Sequence, residues 1–493
     1  MAPDGERKGI MKECIMVVDF GTSNARTNLV NIKDGKIEAG FSKPVFYNSP
    51  QKDFHEIQAD DYWLASVETT GKIMSSLDKE CHIAGLVFSY IGDSLIPTDS
   101  QGNATYPMLA SFDLRARNDM SLYTEVLGTR EFEKISGCPL TPRNTGVKIH
   151  WLKKHMPHVA EKTAYYLTLQ QYVNMKLGLG PVSDYSVANR KLMLDVRTRK
   201  WSDRLLDLIE SSTQEMGPAV TGGDKCIGEI TSYGDVRLPY KIPVFPGGHD
   251  SAVGFLGLGL NSGEDGILGN VGGTFDHYGF LRPEYQDTLS IADVQTVAGP
   301  VSDSYVTIKA HPAGKDLLWF IQHIAGQKDM GLLDHYFKRA AFDGQNPAYY
   351  TAGLDTGNGS FIFLNNLSGI QEIFDTLVEG MTFLSKEYLE LFGKLNLNFQ
   401  TVRVGGGSGK ADPWLQLKAN VFGCRTEKVR NLEVSSVGAA IIGAVGLGIC
   451  SLQEAFGNMV TIEKSFEPDK EIHSLYQEKY RKWKELCRKL QQG

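Results

Sequence analysis

The sequence predicts an α/β protein of two domains, and three observations carry that prediction. Two β-branched runs, Ile15 to Val18 and Thr27 to Ile32, flank Asp19-Phe20-Gly21-Thr22-Ser23-Asn24-Ala25-Arg26, the pattern of a tight strand hairpin. The second half restarts in the same way, with the strand Pro243-Val244-Phe245 and the glycine turn Gly247-Gly248-His249-Asp250, and another strand and turn follows at Ile267 to Thr274. Helical patterns separate the strand signals, and no low-complexity linker interrupts the chain. Two halves that both open on strand, turn and glycine are what a duplicated domain produces.

The elements follow in order. After the hairpin, an aromatic-bearing helix is predicted from Asp60 to Leu77, then the apolar strand Ile83 to Phe88, which runs into polar residues as a strand ending at a site does. Residues 145–215 read as mostly helical, with Trp151, Leu152 and Tyr165 to Leu169 on apolar faces and a break at Gly178-Leu179-Gly180-Pro181. The strand Pro243-Val244-Phe245 leads into Gly247-Gly248-His249-Asp250 and a helix of small residues. The domain boundary falls near 250–258, dividing the chain into 13–254 and 255–490. Val437 to Cys450 is the most apolar stretch; it holds four glycines and is shorter than the roughly 20 residues of a spanning helix, so it reads as a buried helix. Glu471 to Leu490 is a basic amphipathic helix with Tyr476, Tyr480, Trp483 and Leu486 near helical spacing. It either docks on the protein's own body, the favoured reading, or binds a membrane or a calmodulin-like partner.

Composition narrows the function classes. With 493 residues, 42% hydrophobic and 22% charged, the chain has the composition of an ordinary globular protein. A net charge of −7 gives no general attraction to nucleic acid or anionic lipid, so phosphate binding must be local. The seven cysteines are scattered without a C-x-x-C pair, which predicts reduced thiols, a cytoplasmic setting and no zinc site. Residues 1–13 are polar with both charge signs and do not resemble a signal peptide.

Two glycine-rich segments carry the chemistry, the hairpin at Asp19 to Arg26 and Val404-Gly405-Gly406-Gly407-Ser408-Gly409-Lys410. The bare amides and hydroxyls of such turns can hold phosphate. Asp19 at a strand end can hold a magnesium-bound water, and Thr22, Ser23, Asn24 and Arg26 offer donors to a transferring phosphoryl group. Taken alone, the first segment is more often a plain hairpin and the second more often a plain loop, so the functional reading must come from the rest of the chain. Gly409-Lys410 is followed by Ala411, and Val404 stands where a P-loop has its leading glycine, so a Walker site is excluded. No G-x-G-x-x-G follows a strand, which lowers a dinucleotide reading.

Five segments in order resemble the FGGY family of carbohydrate kinases, which includes xylulokinases, gluconokinases, fuculokinases and glycerol kinases. They are Asp19-Phe20-Gly21-Thr22; Trp151-Leu152-Lys153 with Asp184-Tyr185-Ser186 and Trp201-Ser202-Asp203; Gly247-Gly248-His249-Asp250; Gly272-Gly273-Thr274; and Gly405-Gly406-Gly407 running through Trp414-Leu415-Gln416, Ala419-Asn420 and Val437-Gly438-Ala439-Ala440. The resemblance covers nearly the whole chain. It implies two ribonuclease-H-like domains of the actin and hexokinase ATPase superfold with a cleft between them, 13–254 on the sugar and phosphate side and 255–490 on the nucleotide side. It implies ATP with magnesium, a small sugar as acceptor, and a homodimer as a common assembly, with no nucleic acid or membrane partner.

The same resemblance assigns roles. Asp250 is implied as the base that accepts the proton of the attacking hydroxyl; from position alone it reads as a helix N-cap before Ser251 to Leu260. Asp19 is implied beside magnesium, directly or through a water molecule in the metal's shell, with Thr22, Ser23, Asn24 and Arg26 on phosphate oxygens. Gly273, Thr274, Gly314, Gly407, Ser408 and Asp412 match positions near the nucleotide. Arg26 is also readable as a surface strand residue, and Asp412 before Pro413 as a helix start. On the sugar side the chain departs from its relatives: Gly92-Asp93 stands where xylulokinases have Met-His and glycerol kinases Arg-Glu, and Ser111-Phe112-Asp113-Leu114-Arg115 replaces Trp-Asn-Asp-x-Arg. Asp93, Asp113, Arg115, His249 and Asp250 are the substrate-side candidates, with an internal Asp113–Arg115 ion pair as the alternative. Phe275-Asp276-His277 reaches either the sugar or solvent. No positively charged pair stands out for a carboxylate substrate, which favours a neutral ketose or polyol over gluconate. A non-catalytic sugar-binding relative of the same fold is the rival reading.

Overall fold

The computed structural model describes residues 11–78, 80–260, 266–289, 291, 294–352, 359–365 and 368–492. It divides into two compact units. Unit 1 comprises the chain up to Gly259 with Leu281–Thr307 and Val434–Val460, and unit 2 comprises Leu260–Phe280, Ile308–Glu433 and the chain from Thr461 onward.

Unit 1 is built on a mixed sheet. Strands β1 (Lys12–Phe20), β2 (Asn24–Asn31), β3 (Ile37–Pro44), β4 (Cys81–Tyr90), β5 (Gly228–Tyr233) and β6 (Val236–His249) lie in the order β5-β6-β4-β1-β2-β3. The hairpin expected at Asp19 to Arg26 is the β1–β2 turn, and Asp19 faces Arg26 across it. β4 runs parallel to both β1 and β6. The apolar residues that make these strands also fill the core: Met16, Val18, Phe20, Leu86, Phe88 and Tyr90 are buried, and Phe20 stacks on Tyr90 at 5.0 Å. The helix Ala59–Ser76, whose Asp60 and Asp61 suit the positive end of its dipole, buries Tyr62, Trp63 and Ile73.

The expected buried helix of small residues is Val434–Gly446, and it crosses the helix Asp250–Gly257 within unit 1. A Cβ on Gly438 would lie 1.9 Å from the Val253 carbonyl, and one on Gly257 would lie 1.9 Å from that of Val434. The glycines of this stretch therefore serve close backbone packing, not chain flexibility. One expectation is corrected here: Tyr165–Leu167 is a strand that pairs with Ile96–Thr98, not a helix face. Three apolar residues in a row fit either element, and a partner about seventy residues away decided between them.

Unit 2 repeats the plan. Strands β7 (Ile267–Gly272), β8 (Asp276–Arg282), β9 (Tyr305–His311), β10 (Thr401–Gly406), β11 (Arg425–Val429) and β12 (Ile462–Phe466) lie in the order β9-β8-β7-β10-β11-β12. Both sheets thus place a first hairpin strand at the centre, its antiparallel partner on one side and two parallel strands on the other, which is the ribonuclease-H-like arrangement. The C-terminal helix Lys470–Gln492 docks on unit 2 itself: Tyr476, Tyr480 and Trp483 are buried. Tyr476 donates to Glu379 at 2.8 Å, and Lys479 pairs with the same carboxylate at 2.5 Å. No helix among the described residues is long and apolar enough to cross a membrane.

Candidate active site

Three parallel strand ends assemble the site of unit 1. Register places Asp19 of β1 beside Ser89 of β4, and Ser89 beside Gly248 of β6. Asp19, Asp93 just past β4, and Asp250 just past β6 therefore leave one edge of one sheet. The β1–β2 turn is pinned from below by Tyr62, whose hydroxyl donates to the Gly21 carbonyl at 2.9 Å and the Thr22 carbonyl at 3.2 Å. With its carbonyl side anchored, the turn carries Thr22 and Asn24 half-buried and Ser23 exposed at its rim.

Asp250 is delivered by a kink. β6 loses register between Phe245 and Gly248, and Gly247 has φ +67°; a Cβ there would sit 1.7 Å from the Phe88 carbonyl, so only glycine allows this approach. Asp250 is the first residue of the helix Asp250–Gly257, and the N-cap position falls on His249. The N-cap alternative for Asp250 is thereby resolved: its Oδ1 accepts only from the adjacent Ser251 amide at 2.6 Å among the described hydrogen bonds. About a third of its side chain stays open (35%), and His249 Nε2 lies 3.5 Å from Oδ1. Desolvation, and after it repulsion from Asp19, push the carboxyl up to about 7, against the Ser251 amide and Arg190. A carboxylate near neutrality with an open face is suited to accepting a proton.

His249 is a positioned neighbour of that carboxylate. Its Nδ1 shares a 2.8 Å hydrogen bond with the Ser251 hydroxyl, and its backbone amide donates to Ser186 Oγ at 2.8 Å. Ser186 in turn donates to Asp184, which caps the helix Tyr185–Arg190 through the amides of Ser186 and Val187. Gln170 ties Asp184 to the Pro246 carbonyl. This buried chain fixes the helix Tyr185–Arg190 against β6 and brings its last residue, Arg190, to Asp93: Arg190 Nη2 and Asp93 Oδ2 are 2.8 Å apart.

Asp113 and Arg115 are spent on each other. Arg115 Nε lies 2.9 Å from Asp113 Oδ1 and Nη2 lies 2.8 Å from both Asp113 Oδ2 and Glu56 Oε1. The His55 amide takes a further position on Asp113, and the guanidinium lies 4.0 Å over the Phe54 ring. The internal ion pair that the sequence offered as an alternative is present, buried in the loop that follows Met108–Leu109.

The corresponding edge of unit 2 is made of backbone. Gly272 ends β7 and pairs with Gly406, which ends β10. Gly406 has φ +73°, and a Cβ there would lie 2.0 Å from the Gly272 carbonyl; one on Gly272 would lie 2.2 Å from Ser408 Oγ. Gly314 packs on the turn at Gly273 and Thr274, where a Cβ would meet the Gly273 carbonyl at 2.2 Å. Gly407 and Ser408 open the 3₁₀ turn Gly407–Lys410. This set of crowded glycines is a cradle of main-chain groups, the surface that a polyphosphate or nucleotide fits. Ser408 donates inward to Asp276, and Asp276 pairs with Lys418, whose Nζ is 2.6 Å from Asn270 Oδ1. Asp276 is fully buried, so it does not face solvent as the sequence allowed. Asp412 starts the helix Asp412–Phe422 and is paired with Lys428 at 3.2 Å and Lys464 at 2.8 Å.

A family model for the N-terminal domain of the FGGY family of carbohydrate kinases matches residues 14–257, and that for its C-terminal domain matches residues 293–447. The chain belongs to the FGGY family of carbohydrate kinases. It is 26% identical to the xylulose kinase of Bacillus subtilis (strain 168) over 96% of this chain and 97% of that protein. Its fold superposes on the xylulose kinase of Rhodospirillum rubrum with TM-score 0.84 at 19% identity, covering 97% of this chain and 99% of the other. It superposes on the gluconate kinase of Lactobacillus acidophilus with TM-score 0.85 at 18% identity, covering 97% and 98%. As an FGGY kinase the protein is a phosphotransferase acting on a sugar, in the two-domain actin and hexokinase fold; nothing in these comparisons favours a non-catalytic relative.

In this FGGY kinase the structure brings Asp19, Asp93, His249 and Asp250 to one sheet edge of unit 1, and Gly273, Thr274, Gly314, Gly407 and Ser408 to one edge of unit 2. Asp113, Arg115 and Asp412 are held in ion pairs of their own. Sequence reasoning missed Tyr62, Gln170 and Arg190. Arg190 lies only a few residues beyond the Asp184-Tyr185-Ser186 segment, but the short helix Tyr185–Arg190 had to be placed against β6 before its partner was visible.

Proposed function

We propose that the protein is an ATP-dependent kinase that phosphorylates a hydroxyl of a small neutral ketose or polyol, with Asp250 as general base. The observation that carries this reading is the carboxylate of Asp250, partly open, beside Asp19, with its proton affinity raised to about 7. Asp250 takes the proton of the attacking hydroxyl as that oxygen bonds to the γ-phosphorus and the bond to the departing ADP oxygen breaks. Thr22, Ser23, Asn24 and Arg26 orient the phosphoryl group. The cradle of Gly273, Thr274, Gly314, Gly407 and Ser408, with Asp412 beyond it, receives the nucleotide.

Among the described residues no three acidic, histidine or cysteine side chains gather to hold a metal. A single strand-end carboxylate, Asp19, fits the usual habit of magnesium, which keeps several waters and arrives bound to phosphates. When bound there the ion supplies charge neutralisation to the phosphates. Asp93 and His249 face the sugar, and Asp113 with Arg115 stiffens the neighbouring loop. Residues 13–254 then serve the sugar and phosphate side and 255–490 the nucleotide side. The free, mostly half-buried or buried thiols suit a cytoplasmic enzyme, and a homodimer is the assembly expected.

The test is ADP formation from ATP and magnesium across a panel of ketoses, polyols, aldoses and aldonates, with Asp250→Asn alongside. A sugar-dependent rate that is lost in the variant supports the reading; a rate unchanged in the variant assigns the base elsewhere.

A further inference from the structure

Resting on the reading of this edge as the sugar side, we propose that Arg190 and Asp93 form a clamp that reads two adjacent oxygens of the sugar, Asp93 Oδ1 accepting from one hydroxyl and Arg190 Nε donating to its neighbour. The clamp selects a neutral polyhydroxy substrate and disfavours an aldonate.

The two side chains meet through one contact only, Arg190 Nη2 to Asp93 Oδ2 at 2.8 Å. Nη1 is used behind the pair, on Gln295 Oε1 at 3.1 Å and Cys138 Sγ at 3.8 Å. Among the described residues, Arg190 Nε and Asp93 Oδ1, both buried from solvent, have no hydrogen-bond partner. Buried polar atoms left in that condition are costly and uncommon in folded proteins. Here one donor and one acceptor stand unfilled on the two halves of a single ion pair, which is the complement of a vicinal pair of sugar oxygens.

The surroundings hold the pair in place. Asp93 has φ +58°, a left-handed conformation that aspartate tolerates better than most residues, and Lys148 donates to its carbonyl at 2.8 Å from the helix Thr145–His155. Gly92 leaves the space: a Cβ there would lie 2.7 Å from the His249 ring and 3.0 Å from Arg190 Cγ. Arg190 and Asp93 are also near enough to Asp250 to move its proton affinity in opposite directions, so the clamp and the proposed base share one site.

The charge balance sets the substrate class. Arg190 is already paired with Asp93, and Lys148 is committed to the carbonyls of Asp93 and Ala110, so neither cation turns its donors to a substrate carboxylate. A carboxylate-bearing sugar finds neither cation uncommitted there, whereas a neutral one needs only the donor and acceptor of the pair.

Sugar affinity measured by calorimetry on the full chain without nucleotide, and KM and kcat for the best neutral sugar of the panel, test the clamp with Arg190→Lys, Arg190→Met and Gly92→Ala. The expected result is a loss of affinity and a rise in KM of roughly 10- to 100-fold in Arg190→Lys and Arg190→Met, the range of a hydrogen bond to a charged group, with kcat changed far less. Gly92→Ala, which leaves both clamp residues in the chain, should move KM in the same direction. Within a series of deoxy analogues, one analogue should lose that factor with the wild type and lose nothing further with Arg190→Lys, a pattern that a merely structural arginine does not produce. Unchanged affinity in correctly folded Arg190→Lys and Gly92→Ala overturns the clamp while leaving the kinase reading intact. Sugar binding that weakens in the variants without any ADP formation by the wild type upholds the clamp and removes the kinase reading. Aldonates bound as tightly as neutral sugars, or no binding of any sugar, overturns the clamp.

Discussion

At the strand ends of unit 1 the chain presents ionisable side chains, Asp19, Asp93 and Asp250, with atoms of Asp93 and Arg190 left unsatisfied. At the equivalent ends of unit 2 it presents glycine backbone, and the charged groups behind it, Asp276 and Lys418, are fully buried and paired. The same strand order therefore carries two kinds of site. Proton transfer needs a carboxylate whose affinity is tuned by burial and by a neighbouring charge. Cradling a polyphosphate needs close approach of main-chain amides, which a side chain at Gly272 or Gly406 would block.

The sharpest way to break this contrast is Asp250→Asn. If the reacting group belongs to unit 1, kcat should fall by about 10²–10⁴-fold, with little change in the melting temperature, since the removed charge is partly exposed and makes one amide contact. In unit 2 the corresponding substitution, Asp276→Ala, should act on the fold: it strands Lys418 in the interior and should cost about 3–5 kcal/mol, read by denaturant unfolding. A stable Asp276→Ala protein with lost activity would give unit 2 a chemical role and dissolve the distinction. Gly272→Ala inserts a Cβ against Ser408 and should raise KM for ATP by roughly tenfold while costing about 1–3 kcal/mol, leaving the sugar KM unchanged. The smallest effect is titration. Asp250 must be ionised to accept a proton, so kcat/KM should climb with pH and level off above about 7, falling about tenfold per pH unit well below it. A profile flat from pH 5 to 8 would remove Asp250 as the base.

How far these features were legible varied with their range in sequence. The β1–β2 hairpin, the helix at 59–76 and the buried helix at 434–446 were readable because alternation, amphipathic spacing and apolar runs are local signals. Tyr165–Leu167 was misread because a three-residue strand is specified by its partner at Ile96–Thr98, not by its own pattern. Asp276 was left open between sugar and solvent because a charged residue at a strand start gives no sign of Lys418, which lies some 140 residues on. Tyr62, Gln170 and Arg190 gave no sign in the sequence for the same reason: their contacts with the β1–β2 turn, with β6 and with Asp93 are created only by packing.

The amino-acid sequence by itself determined the duplicated strand–turn–glycine plan, the family, and the identity of the acids and glycines at the strand ends, because backbone conformation and hydrophobic period are encoded residue by residue. Tertiary structure alone decided that Asp250 is not a helix cap, that Asp113 and Arg115 neutralise each other, and that Arg190 stands against Asp93. Those outcomes depend on burial and on distances between residues far apart in the chain, and electrostatic energies take their size from such distances and from exclusion of water.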